Sequence, residues 1–382
     1  MKIFEFFRKF QDGIGEPPWD YYFLRNLDER EYPKYLAKIF NYRTGEKLPL
    51  LHGIIDKKRC KTFNQKLQWT KLYGVTPLMR DCTDKVKVRD YVKEKIGEEY
   101  LKPVLQIIPN ESHCHCEQTN DHLMSARQST DECNDTPDCR GTDKAVVPRL
   151  RFPKFQFREN RVLAEYNDRE SGDVSIYFDK IDFYKLPCSF VIKTNHGCKW
   201  QYIIKNKEEY LKNKRLFEET RKQITGWLEQ DYSFWGGFEL NYRGIKPQII
   251  IEEFLGNDTE IAKELELYCF EGKVKVIKKI HNNPAEKISM LDENFSNLDF
   301  TFLEKEILFE DKVDLILKKA VALSEKLSEK FHFARLDWII FKNKLYFNEI
   351  TFTPYSGFIV FDKKWNSKLG KLINIERQKN GL

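Results

Sequence analysis

Ala334-Arg335-Leu336-Asp337-Trp338-Ile339-Ile340-Phe341, then Lys342-Asn343-Lys344, then Leu345-Tyr346-Phe347-Asn348-Glu349-Ile350-Thr351 reads as a β-hairpin. Both arms are rich in β-branched and aromatic residues, and the polar triplet between them suits a three-residue loop. That loop pairs Phe341 with Leu345. Counting back places Asp337 opposite Glu349 and Arg335 opposite Thr351, all four on one face because side chains alternate with a period of two. Like charges facing each other across strands are unfavourable unless a cation lies between them, and an all-oxygen pair suits Mg²⁺ carrying phosphate ligands. The alternative is that Arg335 neutralises Asp337 while Glu349 faces water.

Working outward, the 382 residues suffice for two or three structural units. Hydrophobic residues are 41% and aromatics 14%, which excludes disordered and fibrous classes. The net charge of +6 is spread along the chain and fits acidic small molecules or polysaccharide, while no finger, homeodomain or RNP-like pattern points to nucleic acid. The first ten residues are too charged for a signal peptide, and no run is long enough for a membrane span. These features predict a cytoplasmic protein. An odd count of nine cysteines without regular spacing is no disulfide framework, and Cys60, Cys82, Cys188, Cys198 and Cys269 read as core or surface thiols.

Residues 1–82 read as a mainly helical N-terminal region, with Asn64–Tyr73 as one amphipathic helix. Residues 83–178 form a second segment. Within it, Thr83 to Gly97 has a cap-like start, apolar residues at Val88, Val92 and Ile96 and a terminal glycine, so a single helix is predicted with Lys85 and Arg89 on one face. From about 111 to 172 the composition turns polar, marking an insertion. Its His113, Cys114, His115, Cys116, His122, Cys133 and Cys139 are candidate zinc ligands, although they lack paired C-x-x-C spacing. The remainder alternates strands and helices, with strands at Ser189–Thr194, Lys199–Lys205, Gln248–Glu253 and around 265–280, and helices at Asn213–Leu228 and Asp311–Phe331. This pattern indicates an α+β fold. In Phe190-Val-Ile-Lys193-Thr-Asn-His196-Gly197-Cys-Lys199 a lysine at the end of an apolar strand is followed by a glycine-containing loop. Ile251-Glu252-Glu253-Phe254-Leu255 ends another apolar strand in two acids, where backbone could pair with a base.

Lysine strand, glycine loop, acidic hinge and acid hairpin follow one another in an order that resembles the ATP-grasp superfamily. Phe63-Asn-Gln-Lys66-Leu-Gln-Trp69, Thr83-Asp84-Lys85, Leu186-Pro through Gly197, Lys246-Pro with Glu252-Glu253, Cys269-Phe270-Glu-Gly272 and Phe347-Asn-Glu349-Ile-Thr351-Phe-Thr-Pro354 look like its TupA-like branch, linked to teichuronopeptide and other cell-surface polysaccharide pathways. The resemblance implies an ATP-grasp fold in which two α+β subdomains, 179–255 and 256–382, sandwich ATP. It implies an ADP-forming carboxylate–amine ligase that makes an amide bond through an acyl-phosphate, on a sugar acid or acidic peptide of a capsule, lipopolysaccharide or wall polymer. Peripheral association with a polysaccharide-assembly complex would fit that setting. Carried over, Lys193 would contact the α- and β-phosphates, His196-Gly197 would cover them, and Glu252, Glu253, Phe254 and Leu255 would hold the adenosine. Asp337, Glu349 and Thr351 would bind Mg²⁺, and Arg335 would stabilise the transferring phosphoryl group. Two positions depart from relatives, Lys199 standing for a small residue and Glu266 for a basic one, so Lys199 is expected to neutralise the γ-phosphate. A glycosyltransferase of the same pathways, or a degenerate nucleotide-binding protein, are the alternatives; no separate D-x-D supports the former.

Overall fold

Thr62 opens a helix because its hydroxyl accepts from the Gln65 amide while the Gln65 side chain accepts from the Thr62 amide, a reciprocal capping box. That helix belongs to an N-terminal group comprising α1 (Tyr21–Arg25), α2 (Tyr32–Thr44), α3 (Phe63–Tyr73), α4 (Pro77–Thr83) and α5 (Val88–Ile96), with a ribbon of β1 (Leu50–Leu51) and β2 (Ile54–Ile55) between α2 and α3. The computed structural model describes residues 21–109, 175–256, 262–281, 287–300, 315–360 and 362–376. The charged N-terminal decapeptide and the polar insertion with its candidate zinc ligands lie outside them. Among the described residues no helix is long and apolar enough to cross a membrane.

The single helix predicted from Thr83 to Gly97 is two helices. α4 ends at Thr83, and α5 begins only at Val88. Asp84 causes the break: its Oδ1 accepts from the Val86 amide at 2.8 Å and from Asn195 Nδ2 at 3.0 Å, so the side chain competes with helix continuation and ties the turn to another loop. Lys85 therefore sits in a turn and does not share a helix face with Arg89.

Next come β3 (Val104–Pro109), α6 (Ser175–Asp179), β4 (Phe190–Thr194), β5 (Gln201–Ile204), α7 (Lys207–Lys212), α8 (Lys214–Leu228) and β6 (Gln248–Glu253). The four strands form an antiparallel sheet in the order β3-β6-β4-β5. Ile192, Ile249 and Ile251 are fully buried in it, and α8 contributes Ile224, Trp227 and Leu228 to the same core. Trp200 stacks on Trp227 with centroids 5.9 Å apart, closing this layer with large apolar area.

A second antiparallel sheet holds β7 (Lys263–Phe270), β8 (Lys273–His281), β9 (Lys287–Asp292), β10 (Phe333–Phe341) and β11 (Lys344–Thr351) in the order β11-β10-β7-β8-β9. Helix α9 (Leu315–Ser328) packs on one face, where Ala320, Leu323 and Leu327 join Leu336, Trp338, Leu345 and Phe347 in a second core. Helix α10 (Lys363–Lys371) then packs on α3.

The hairpin reaches the expected pairing by a different route. Lys342 and Asn343 alone form the loop, both with left-handed φ of 48° and 57°, as a two-residue type I′ turn requires. Phe341 thus pairs with Lys344, not Leu345, and Trp338 pairs with Phe347. A β-bulge at Asn348 then supplies the extra residue, so that Asp337 faces Glu349 and Arg335 faces Thr351. The bulge switches the strand's phase: Leu345 and Phe347 point into the α9 core, and after it Ile350 and Phe352 do so. Glu349 is thereby delivered to the opposite face.

Candidate active site

On that face, Arg335 binds Asp337 through two parallel bonds, Nε to Oδ1 at 2.7 Å and Nη2 to Oδ2 at 2.6 Å. Its Nη2 also reaches Glu349 Oε1 at 3.4 Å and Thr351 Oγ1 at 3.2 Å, and the Thr351 hydroxyl lies 3.2 Å from Glu349 Oε1. The arginine is the cation beside the facing acids, so the Arg335–Asp337 pairing weighed as the alternative is present. Glu349 does not stand in open water: its side chain is 25% exposed. Burial pushes the Asp337 carboxyl well up, Arg335 pulls against this, and the charge of Glu349 adds to the rise. For Glu349 burial also acts upward, but Lys85 and Arg335 outweigh it and hold the carboxyl low. A divalent cation fits this set, since two carboxylates and a hydroxyl offer only hard oxygen donors. Among the described residues no three His, Cys, Asp or Glu side chains cluster as metal ligands, so Asp337, Glu349 and Thr351 are the donors to test.

Strand β7 extends the face with two residues that need each other. Glu266 lies across from Asp337 on one side and from Lys278 on the other. Lys278 Nζ binds Glu266 Oε1 at 2.9 Å, and the Tyr268 hydroxyl donates to Oε2 at 2.7 Å. Burial raises the Glu266 carboxyl, yet Arg335 and Lys278 overcome this and hold it at about 2. The buried acid is thus answered by Lys278, one strand over and only 3% exposed.

The lysine end of the site rises from the four-stranded sheet. Lys193 on β4 and Glu252 on β6 are diagonal cross-strand neighbours, and Lys193 Nζ lies 2.7 Å from Glu252 Oε2. Lys102, just before β3, reaches the same oxygen at 2.9 Å and donates to Asn348 Oδ1 at 2.7 Å. The bulge residue therefore has a second consequence: its amide joins the hairpin sheet to the lysine sheet through Lys102. Burial raises the Glu252 carboxyl, but the two ammoniums hold it at about 2. Burial draws Lys193 down to about 7 against the pull of Glu252.

The loop after β4 is fixed from below. Asn195 is fully buried, its Oδ1 accepting from the Gln248 amide at 2.7 Å and its Nδ2 donating to Asp84 and to Lys246 O. Lys85 donates its side chain to Gly197 O. At Gly197 a Cβ would lie 2.1 Å from Trp200 Cε3, so the loop has no room for a larger residue. The His196 ring is turned inward: it is 2% exposed, and its Nε2 lies 3.1 Å from Trp227 O and 3.2 Å from Gln230 O. Its side chain anchors the loop from inside and is not presented on the outer surface.

Arg335, Asp337, Glu349 and Thr351 thus converge on one face, and Lys193 joins Glu252. Glu252, expected at the adenosine, is buried with its carboxylate paired to two lysines. Glu253 is exposed at the end of β6, followed by half-buried Phe254 and buried Leu255. Lys199 is exposed and left-handed, with φ of 60°. Lys102 and Lys278 escaped sequence reasoning. The phase change from Leu345 and Phe347 to Ile350 and Phe352 was a readable signal for the bulge, but neither lysine had a local one.

Two antiparallel sheets, one with facing acids on a hairpin and the other with a buried strand-end lysine, make the ATP-grasp fold. A family model described as TupA-like ATPgrasp matches residues 165–374, more than half the chain, and the protein belongs to that family. No curated protein matches it. Among solved structures it is similar to a D-alanine–D-alanine ligase from Bacillus anthracis complexed with ATP, at 14% identity over 43% of this chain and 39% of that one, with a TM-score of 0.24. The Helicobacter pylori D-alanine–D-alanine ligase matches at 16% identity over 53% of each chain, with a TM-score of 0.28. An N5-carboxyaminoimidazole synthase from Aspergillus clavatus, in complex with ADP and its ribonucleotide, matches at 9% identity over 47% of this chain and 36% of that one, with a TM-score of 0.26. The chain spans less than two thirds of each of these structures.

Proposed function

We propose that the protein is an ADP-forming carboxylate–amine ligase using Mg-ATP. The observation that carries this is the convergence of an Arg335–Asp337–Glu349–Thr351 face with the buried Lys193–Glu252–Lys102 group, bridged by Asn348. Lys193 and Lys102 would receive phosphate oxygens, exchanging Glu252 for a ligand anion. Glu253, Phe254 and Leu255 would meet the adenosine. Asp337 and Glu349, with Thr351 nearby, would hold Mg²⁺, which would supply charge neutralisation to the polyphosphate. Arg335, freed in part from Asp337, would meet the negative charge of the transferring phosphoryl group.

The chemistry follows in two transfers. A substrate carboxylate oxygen bonds to the γ-phosphorus as the bond to the β-phosphate oxygen breaks, releasing ADP. An amine nitrogen then bonds to the acyl carbon, inorganic phosphate leaves with the original carboxylate oxygen, and the amine loses a proton. We infer from membership in the TupA-like family that the acid is a sugar acid or acidic peptide of a cell-surface polymer. Lys199, exposed beside the phosphate loop, would add charge near the γ-phosphate.

The test is ADP release from Mg-ATP across a panel of uronic acids, acidic amino acids and amines, using a carboxylate labelled with ¹⁸O. One label should appear in phosphate and none in ADP. Product formation without ADP, or consumption of a UDP-sugar in place of ATP, refutes the proposal and selects a glycosyltransferase. Lys199→Ala should weaken ATP turnover; an unchanged rate removes that lysine from the site.

A further inference from the structure

Away from the acid face, a cavity of about 590 Å³ lies between residues 57–66 and 367–376. Lys57, Lys58, Lys61, Lys66 and Lys371 line it, against one carboxylate, Glu376. The nearby Asp56 is engaged by Arg59 at 3.1 Å, and Lys57 rests over the Trp69 ring at 4.9 Å. Lys57 and Lys66 are half-buried, and the other three are exposed. Lys66 Nζ donates to Gly370 O at 2.7 Å and Ile373 O at 2.6 Å, which uses two of three ammonium hydrogens on neutral partners. Glu271, which accepts from the Asn374 amide at 2.9 Å, lies close by, so the lining is predominantly but not wholly basic; a concave wall with an excess of one sign still focuses its field into the cavity, and the volume falls in the range of small-ligand sites and below what a duplex would need.

We propose that this cavity binds an oligoanion, a ligand presenting carboxylate or phosphate groups at two or more positions. Lys58, Lys61 and Lys371, all exposed, would engage its anionic groups from both walls, and Lys66 would offer its remaining hydrogen from within. The site involves none of the residues assigned to Mg-ATP, so it stands or falls separately from the ligase proposal.

The full chain is titrated calorimetrically with inorganic tripolyphosphate and with trigalacturonate, at low salt and again with saturating Mg-ATP present. At least one probe should bind with Mg-ATP bound, and K58Q/K61Q/K371Q should weaken it tenfold or more. K318Q/K363Q/K364Q, a control of equal charge outside the cavity, should change it less than twofold. Preference for tripolyphosphate identifies a phosphate ligand, and preference for trigalacturonate a polycarboxylate; either supports the site. Displacement of both probes by Mg-ATP, equal loss in the two triple variants, no binding of either probe, or tighter binding of a short DNA duplex than of both probes would each overturn it.

Discussion

Replacing Glu252 by glutamine keeps the shape of the side chain and removes the charge that Lys193 and Lys102 share. Glu252 is 3% exposed, and both ammoniums approach one oxygen at 2.7 and 2.9 Å. A carboxyl held at about 2 in place of its ordinary 4.5 stabilises the fold by about 3 kcal/mol, at 1.36 kcal/mol per tenfold change in proton affinity. That agrees with the roughly 3–5 kcal/mol lost when one partner of a buried ion pair is removed. Because the folded-state value is depressed, this stability is fully present above pH 4.5 and is lost as pH falls toward 2. Glu252→Gln should therefore cost about 3 kcal/mol in urea unfolding at pH 7, and its deficit relative to the parent should shrink as pH is lowered from 4.5 to 3. A cost under about 1 kcal/mol, less than a charged hydrogen bond contributes, or a deficit unchanged at pH 3, would refute this account of the lysine group.

Lys102→Met leaves Lys193 to pair Glu252, so the protein should fold while ATP affinity drops at least about tenfold, the effect of one charge-assisted contact of roughly 1.5–3 kcal/mol; direct titration of ATP reads it. Lys193 sits at about 7 in the free protein, and an adjacent phosphate raises it, so the bound form carries more protons above pH 7. ATP affinity should then fall between pH 7 and 9, with proton uptake visible as a dependence of binding heat on buffer ionisation enthalpy. Gly197→Ala puts a methyl 2.1 Å from Trp200 and should destabilise the protein by about 1–3 kcal/mol, as overpacking does, measured as a lower Tm.

The hairpin was legible because its apolar flanks and alternation are local, and the facing of Asp337 and Glu349 followed from counting. The count assumed a three-residue loop; the molecule uses a two-residue turn plus the Asn348 bulge, which share the same net offset. Glu252 read as a turn acid because its partners lie 59 residues before it on β4 and further away before β3, contacts that only the sheet order creates. Lys278 lies in Lys273-Val-Lys-Val-Ile-Lys-Lys-Ile-His281, where it looks like one more surface lysine until Glu266 is set opposite it. His196 shows the reverse case: a polar residue in a glycine loop suggested ligand contact, but two backbone carbonyls beneath it hold the ring inside.

The most direct test of the central claim is stabilisation of the folded protein by Mg-ATP, compared between the parent chain and D337N/E349Q. At about a hundred times the dissociation constant, a ligand that binds only the folded state adds roughly 2.7 kcal/mol. The account predicts that increment for the parent with Mg²⁺ and its loss in the double variant or on chelation. Equal stabilisation in both proteins, or none in either, would contradict it.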